Sequence, residues 1–255
     1  VVPMVRMYAE RAIELDPQLA EPHATLGILS VQNRNWDEAL RESKTAVDLN
    51  PSYPTGVQWH ASVLLDLGHY DEAAEMMKRA HDLDPVSPAI SDGLSNTYEA
   101  RDIYDAAMEN SKRYIEMNPT FPAAYRSLGF YYSIMGRHAE AVAHAEKAVQ
   151  LDRASYLLGD LGYVYAAAGK RDQALALVRE LESRYANNSG PGRYVAEIYS
   201  GLGEKGKAME WLEKDFQTKN GRLAEITWTV PYRSMRDYPP FNDLLKRMGL
   251  RKEVL

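Results

Sequence analysis

A proline-ended phrase repeated at a constant interval restricts the possible fold more than any other feature of this chain. The phrases ELDP, DLNP, DLDP and EMNP end at Pro17, Pro51, Pro85 and Pro119, each 34 residues after the last. A fifth phrase, QLDR, keeps the interval and carries Arg153 in the proline position. Because proline lacks an amide hydrogen and disfavours a helical residue before it, each phrase predicts the end of a helix. Repetition at this period is typical of an array of helical pairs.

Two columns of small residues follow nearly the same interval. One column consists of alanines, Ala39, Ala73, Ala107, Ala141, Ala174 and Ala208. The other holds glycine, alanine or serine, at Gly27, Ala61, Ser95, Gly129, Gly162 and Ala196. A small residue on each helix of a pair lets the two axes approach to about 8 Å, the short end of the usual range. The columns therefore predict closely packed helical pairs.

These columns resemble the tetratricopeptide repeat, a 34-residue helix-turn-helix unit that ends in proline. The best matches are AYRSLGFYYSIMGRHAEAVAHAEKAVQLD (124–152) and YLLGDLGYVYAAAGKRDQALALV (156–178). The resemblance implies an all-α fold, a right-handed α-α superhelix (a solenoid) of about six and a half repeats with a C-terminal capping segment. The expected array covers 1–221, with a half repeat at 1–19, repeats near 20–53, 54–87, 88–121, 122–154, 155–188 and 189–221, and a cap at 222–255.

Two residues and one stretch depart from the repeat pattern. His60 stands where leucine is expected, and Asp102 replaces the glycine of a turn. The sixth repeat opens with the breaker-rich stretch NNSGPG (187–192). We interpret His60 as a packed helix residue rather than a metal ligand.

The resemblance implies that the first helix of each repeat lines a concave groove that holds a peptide or a partner helix. Carried over slot by slot, it assigns the groove to Gln58, Ser62, Asp66, Asp92, Asn96, Glu99, Arg126, Phe130, Ser133, Tyr163, Arg193 and Glu197. Phe130 and Tyr163 are expected to bury apolar side chains of the ligand, and Arg126 and Arg193 to bind its carboxylates. The acidic tail of heat-shock chaperones is disfavoured as a ligand, because Asp92 stands in the slot where that class of repeat carries lysine.

Composition excludes several other functions. The 255-residue chain has a net charge of −6, which provides no general attraction to nucleic acid or anionic lipid. The chain contains no run of about 18 apolar residues, so the sequence predicts no membrane span. Cysteine is absent, so thiol catalysis, thiolate metal sites and disulfides are excluded. We therefore predict no catalytic residues, no metal site and no cofactor.

One stretch imitates a phosphate-binding motif. GLGEKGKA (201–208) matches most of the pattern GxxxxGK, but Ala208 stands where the motif needs serine or threonine for magnesium. Gly203 and Ala208 also belong to the turn and alanine columns of the repeat. Their positions in the repeat account for both residues, so this stretch predicts no nucleotide-binding site.

The last residues, 222–255, break the repeat. Pro231, Pro239 and Pro240 argue against a helix through their middle, whereas FNDLLKRMG (241–249) has the apolar spacing of a short amphipathic helix. We expect this segment to cover an exposed end of the array. The tail also resembles the C-terminus of bacterial signalling proteins such as winged-helix regulators, nucleotide cyclases and Ser/Thr kinases, at Trp228, Pro231, Met235, Arg236, Pro239, Phe241, Leu244, Leu245, Arg247, Met248, Gly249 and Leu250.

Together these observations predict a non-catalytic module for protein–protein interaction, the C-terminal regulatory part of a longer bacterial signalling protein. Two alternatives stay open: a scaffold that self-associates into homo-oligomers, and a small-molecule sensor walled by Phe130 and Tyr163. An enzyme is the weakest alternative, since no nucleophile, base and orienting group can be assembled. A cytoplasmic location is favoured, and a periplasmic one is open if the parent protein is a membrane-bound regulator.

Overall fold

The computed structural model describes residues 2–186, 192–218 and 223–250, and within these residues every regular element is helical. The chain divides into two compact units, one formed by residues 1–102 with 245–255 and the other by residues 103–244. This architecture confirms the predicted all-α repeat array. Most of the stretch 187–192 and the last five residues of the predicted cap lie outside the described residues.

Unit 1 contains the half repeat, two full repeats and the first helix of the next repeat. Its helices are α1 (Val2–Leu15), α2 (Ala20–Gln32), α3 (Trp36–Leu49), α4 (Pro54–Asp66), α5 (Tyr70–Leu83) and α6 (Pro88–Ala100). Pro54 and Pro88 occupy the first helical turn, where the missing amide hydrogen costs nothing. Val57, Met77 and Ile90, all buried, join neighbouring helices in one apolar cluster.

His60 and Trp36 anchor two further parts of unit 1. His60 is buried, and its Nδ1 atom lies 3.0 Å from Ser43 Oγ on α3. Burial lowers the pKa of His60 and so favours the neutral ring. Trp36 Nε1 donates a hydrogen bond of 2.7 Å to Met248 O, which fixes the C-terminal residues of this unit against α3.

Unit 2 contains seven helices of the array and most of the tail. The array helices are α7 (Tyr104–Met117), α8 (Pro122–Ile134), α9 (His138–Leu151), α10 (Ser155–Ala167), α11 (Arg171–Ala186), α12 (Arg193–Gly201) and α13 (Lys205–Thr218). A Cβ atom on Gly129 would lie 3.2 Å from Ala145 Cβ and 3.3 Å from Ala141 O. Because Ala141 is itself fully buried, α8 and α9 approach each other through the two small columns.

The tail forms two short 3-10 helices, Leu223–Thr227 and Val230–Met235, followed by α14 (Pro239–Arg247). Phe241, Leu244, Leu245 and Met248 are all buried, as the amphipathic pattern predicts. Within unit 2, Ser200 Oγ on α12 donates a hydrogen bond of 2.6 Å to Pro231 O. The second 3-10 helix therefore packs against the first helix of the last repeat.

The turns inside the repeats require a left-handed backbone. Asp102 takes φ = 61° in the turn where the sequence lacks glycine, and Arg34 takes φ = 59°. The same conformation occurs at glycine in the other repeats, with φ between 72° and 82° at Gly68, Gly136, Gly169 and Gly203. Asp102 thus keeps the turn in place at some conformational cost, because a side chain disfavours positive φ.

Candidate partner-binding face

Six of the predicted groove residues lie in unit 1, namely Gln58, Ser62 and Asp66 on α4 and Asp92, Asn96 and Glu99 on α6. Asp66 and Glu99 are buried at 0% and 1% exposure. Ser62 is half-buried, and its hydroxyl donates a hydrogen bond of 3.1 Å to Gln58 O within the same helix. These side chains present little polar surface to a ligand.

Asn96 and Asp92 form a pair on α6. The side-chain amide of Asn96 donates to Asp92 Oδ2 at 3.4 Å, and both residues are half-buried. The aspartate therefore lies beside the asparagine at the slot where a chaperone-tail receptor would present lysine.

The other six predicted residues lie in unit 2, Arg126, Phe130 and Ser133 on α8, Tyr163 on α10, and Arg193 and Glu197 on α12. Spacing of three or four residues puts the members of each helix on one face. Helix α10 packs against both α8 and α12. The three faces consequently form one continuous surface, which we call the α8–α10–α12 face.

Aromatic and charged side chains meet on the α8 side of this face. Phe130 is 3% exposed, and the edge of its ring approaches Tyr163 at a centroid distance of 5.8 Å. The Arg126 guanidinium lies 5.9 Å from the centre of the Phe130 ring, and its Nε atom is 3.9 Å from Asp160 Oδ2. Tyr163 and Arg126 are half-buried and form the accessible part of the cluster, whereas Phe130 supports them from below.

Arg193 holds the α12 side of the face to the tail. Its Nη2 atom is 3.1 Å from Glu225 Oε2 and donates a hydrogen bond of 3.0 Å to Tyr194 OH. The hydroxyl of Tyr232 donates to Arg193 O at 2.6 Å. Both carboxylate oxygens of Asp215, on α13, accept the first amides of α12, from Gly192 at 2.6 Å and Arg193 at 2.8 Å. The arginine is therefore fixed through its backbone and its side chain.

Glu197 and Arg193 each carry a buried side-chain atom, Oε2 and Nη1, that has no hydrogen-bond partner among the described residues. Glu197 itself is 7% exposed. A Cβ atom on Gly159 would lie 2.7 Å from Glu197 Oε2, so the absence of a side chain at Gly159 makes room for the carboxylate. Gly159 occupies the slot that Arg126 and Arg193 hold in the adjacent repeats.

Burial dominates the titration behaviour of this cluster. It raises the pKa of the Glu197 carboxyl well above the usual range, and the charge of Asp160 adds to the shift despite Arg193 and Arg126. Burial also raises the pKa of Tyr194 to about 12. For Arg193, burial is the largest single influence and lowers the pKa, but Glu225, Tyr194, Glu197 and Tyr232 together raise it by more, so the guanidinium stays charged.

Four contributors to the face are absent from the sequence prediction: Gly159, Asp160, Glu225 and Tyr232. A glycine in a groove slot between two arginines is a signal that could have identified Gly159. The contacts of Glu225 and Tyr232 carry no such signal, because both residues belong to the aperiodic tail. The string 201–208 needs no nucleotide, since Gly203 forms a repeat turn and Ala208 is fully buried.

In the described residues, no helix is long and apolar enough to span a membrane. The same residues contain no cluster of three or more potential metal ligands.

Solved structures with the same fold include other helical-repeat proteins. The protein TTC0263 from Thermus thermophilus, described as a thermophilic TPR protein, is 23% identical, with a TM-score of 0.59 over 66% of this chain and 97% of that chain. A tetratricopeptide repeat protein from Parabacteroides merdae is 15% identical, with a TM-score of 0.64 over 96% of this chain and 91% of that one. The Cut9–Hcn1 complex of APC/C contains a chain that is 17% identical, with a TM-score of 0.65 over 97% of this chain and 46% of its own.

Family models give the same assignment from the sequence side. Three models described as tetratricopeptide repeat match residues 57–87, 111–143 and 155–180. None of the curated proteins matches the chain. The repeat columns, the helical pairs and the family models agree, and the chain is a tetratricopeptide-repeat protein.

Proposed function

We propose that this chain is a non-catalytic interaction module that binds an extended or helical segment of a partner protein on the α8–α10–α12 face. The tetratricopeptide fold itself supports a role in protein–protein interaction. The observation that carries the location is the concentration of arginine, tyrosine and buried carboxylate on three adjacent first helices. Arginine and tyrosine are enriched among the residues that dominate binding energy at protein interfaces.

Tyr163 and Arg126 are the residues on which a ligand would depend directly. Both are half-buried, so each combines accessible surface with a fixed position. Phe130 stabilises that position from below through the 5.8 Å contact with Tyr163. A rigid aromatic ring beside a guanidinium can bury an apolar side chain and orient a polar one at the same time.

A peptide-display selection tests this proposal. Peptides selected on the wild-type chain should bind Tyr163→Ala and Arg126→Ala at least about tenfold more weakly, a loss of about 1.4 kcal/mol. Arg179→Ala is the matched control, because Arg179 is exposed on α11 and away from the face. Equal binding by all four proteins would place recognition elsewhere and would reject this face as the site.

The tail supports a second element of the proposal, a regulatory role at the end of a longer signalling protein. Its residues Trp228, Pro231, Met235 and Phe241 are buried, so the segment that resembles bacterial signalling proteins is an integral part of the fold. Binding on α12 would reach the tail through Arg193 and Ser200. Coupling to an attached effector domain would then follow from any preference of the ligand for one tail position.

Self-association is a second candidate function, favoured by the outer face of α1. Four apolar residues have a spacing that puts them on one side of this helix. They are Met4, Met7, Tyr8 and Leu15, and their exposed fractions are 57%, 52%, 62% and 71%. A contiguous apolar stripe of this kind is typical of an interaction surface. If the stripe mediates association, the mass of the wild-type chain measured by light scattering should rise with protein concentration. The mass of Met7→Glu should stay at that of a monomer.

A further inference from the structure

One side of α1 exposes slots that the other repeats bury. This side, which we call the pairing side, consists of Val5, Tyr8, Ala12 and Leu15, which are three or four residues apart. By the 34-residue period, Val5 holds the slot of the alanine column. Val5 is 37% exposed, whereas all six alanines of that column are fully buried. Within the described residues, the pairing side of α1 therefore lacks the element that covers its equivalents.

The element that covers the equivalent side of α3 is α2, the first helix of the same pair. The contacts between them follow the two helices in opposite directions. Ala39 and Val31 share an apolar cluster, as do Ala46 and Ala24, and a Cβ atom on Gly27 would lie 3.0 Å from Ser43 Cβ. Helix α2 is therefore antiparallel to α3, as expected of two helices joined by a short turn.

Tyr8 shows the same loss of a covering helix. It holds the slot that Glu42 occupies on α3. Glu42 is half-buried, and its Oε2 atom lies 2.7 Å from His23 Nδ1 on α2, whereas Tyr8 is 62% exposed. The exposed slots of α1 are thus the slots through which a second helix contacts the first helix of its own pair.

The two kinds of helix in a pair are not interchangeable at this contact. The first helix brings a small residue to it, as Gly27 does, so that the two backbones approach closely. Helix α1 contains no glycine, and two copies of α1 would bring the larger side chains of Val5 and Tyr8 together. A helix of the first type therefore fits the pairing side better than a second α1 does.

We propose that the pairing side of α1 binds an amphipathic helix of a partner protein, which lies antiparallel to α1 as α2 lies to α3. The contact stripe of that helix carries small residues at positions i, i+4 and i+7, as α2 does at Ala20, Ala24 and Gly27. Its residue at i+11 is smaller than Val31, because it meets Val5 where Val31 meets Ala39. This site gives α1 an occupant other than a second copy, and it is independent of the α8–α10–α12 face.

The experiment titrates synthetic peptides into the full chain and follows the resonances of α1 by NMR. The reference peptide has the sequence of residues 18–33, which contains α2 and represents the partner helix. In one altered peptide, Gly27→Leu removes the small contact residue. In another, Val31→Ala reduces the residue that faces Val5. Leucine and alanine both favour a helix more than the residues they replace, so a loss of binding by the Gly27→Leu peptide cannot come from helix propensity.

Three variants of the chain complete the design. Tyr8→Glu puts a charge on the pairing side, and Val5→Ala restores the alanine column. Glu10→Gln is the control, because Glu10 is exposed on the other side of α1. All three positions are exposed, so the melting temperatures of these variants should stay close to that of the wild-type chain.

We expect the reference peptide to shift the α1 resonances of the wild-type chain and of Glu10→Gln with equal affinity. Tyr8→Glu in the chain, and Gly27→Leu in the peptide, should each weaken binding at least about tenfold. The preference for the Val31→Ala peptide over the reference peptide should fall at least about threefold when the chain carries Val5→Ala. Helix propensity cancels in this ratio, which therefore reports the size match alone.

Several results would overturn the inference. They are the absence of α1 shifts with all three peptides, equal affinity in Tyr8→Glu, undiminished binding of the Gly27→Leu peptide, and an unchanged preference in Val5→Ala. A mass that rises with chain concentration without peptide, together with shifts of the same α1 resonances, would assign the pairing side to a second copy and would also overturn it. Failure of selected peptides to depend on Tyr163 would reject the α8–α10–α12 face and leave this site unaffected.

Discussion

The array and the tail of unit 2 are stabilised in different ways. In the array, Gly129 and Ala141 occupy slots that recur in every repeat and let helices pack at short distance. In the tail, Pro231 O accepts from Ser200 Oγ at 2.6 Å, and the hydroxyl of Tyr232 donates to Arg193 O at 2.6 Å. Each tail contact occurs once. The comparison shows that a repeated packing slot is visible in the sequence, whereas a single side-chain contact to a backbone carbonyl is not.

The largest expected effect tests the repeated slot. Ala141→Arg puts a long charged side chain into a position with 0% exposure. Overpacking and burial of an unpaired charge should together lower the free energy of unfolding by at least about 5 kcal/mol. Chemical denaturation measures this loss.

Ala143→Arg is the matched control for this substitution. Ala143 is exposed two residues further along α9, so the same change should alter stability by no more than about 0.5 kcal/mol. Similar denaturation midpoints for Ala141→Arg and Ala143→Arg would mean that α9 does not bury the side of the helix that carries Ala141.

The next effect tests the tail. Phe241 is fully buried and its ring stacks on Tyr232 at a centroid distance of 6.2 Å. Phe241→Ala should therefore lower the free energy of unfolding by about 3 kcal/mol, through lost transfer energy and the cavity left behind. If the tail is an integral part of unit 2, one transition should still be seen by circular dichroism and by tryptophan fluorescence.

The exposed Asp237 provides the control in the same segment, and Asp237→Ala should leave the midpoint unchanged. A separate early transition in Phe241→Ala, with the helical signal retained, would show that the tail unfolds independently of the array. In that case the tail would be a detachable segment rather than a structural cap.

The difference between array and tail also explains what the sequence could predict. The proline phrases and the small columns predict helices whose starts the structure places at Pro54, Pro88 and Pro122. For the tail, the apolar spacing of 241–249 predicts a helix, and α14 is that helix, although it begins two residues earlier because proline suits a first turn. The two 3-10 helices have no periodic pattern, so their place against α12 could not be predicted.

The candidate face shows the same limit. Slot-by-slot transfer selects Arg126, Tyr163 and Glu197, which lie on α8, α10 and α12, and α10 packs against both of the other helices. The transfer does not predict that Phe130 is buried, because its burial depends on contacts with the neighbouring repeat rather than on its position in the helix. The partner of Arg193 is Glu225, 32 residues away in a segment outside the repeat, and no spacing rule connects the two.

The smallest expected change in stability tests the turns of the array, where only the backbone conformation determines the effect of a substitution. Gly136 takes φ = 72°, and a Cβ atom there would meet nothing within 4 Å. Gly136→Ala should therefore lower the free energy of unfolding by about 1 kcal/mol through left-handed strain, with no contribution from a clash. Gly206 also has open space around a Cβ atom, but it lies in α13 without positive φ. Gly206→Ala should therefore raise stability by about 0.5 kcal/mol, because alanine favours the helix. Opposite signs for the same substitution, measured by urea denaturation, would confirm that the turn needs glycine for its conformation. Equal signs would mean that left-handed strain does not determine the effect of alanine at Gly136.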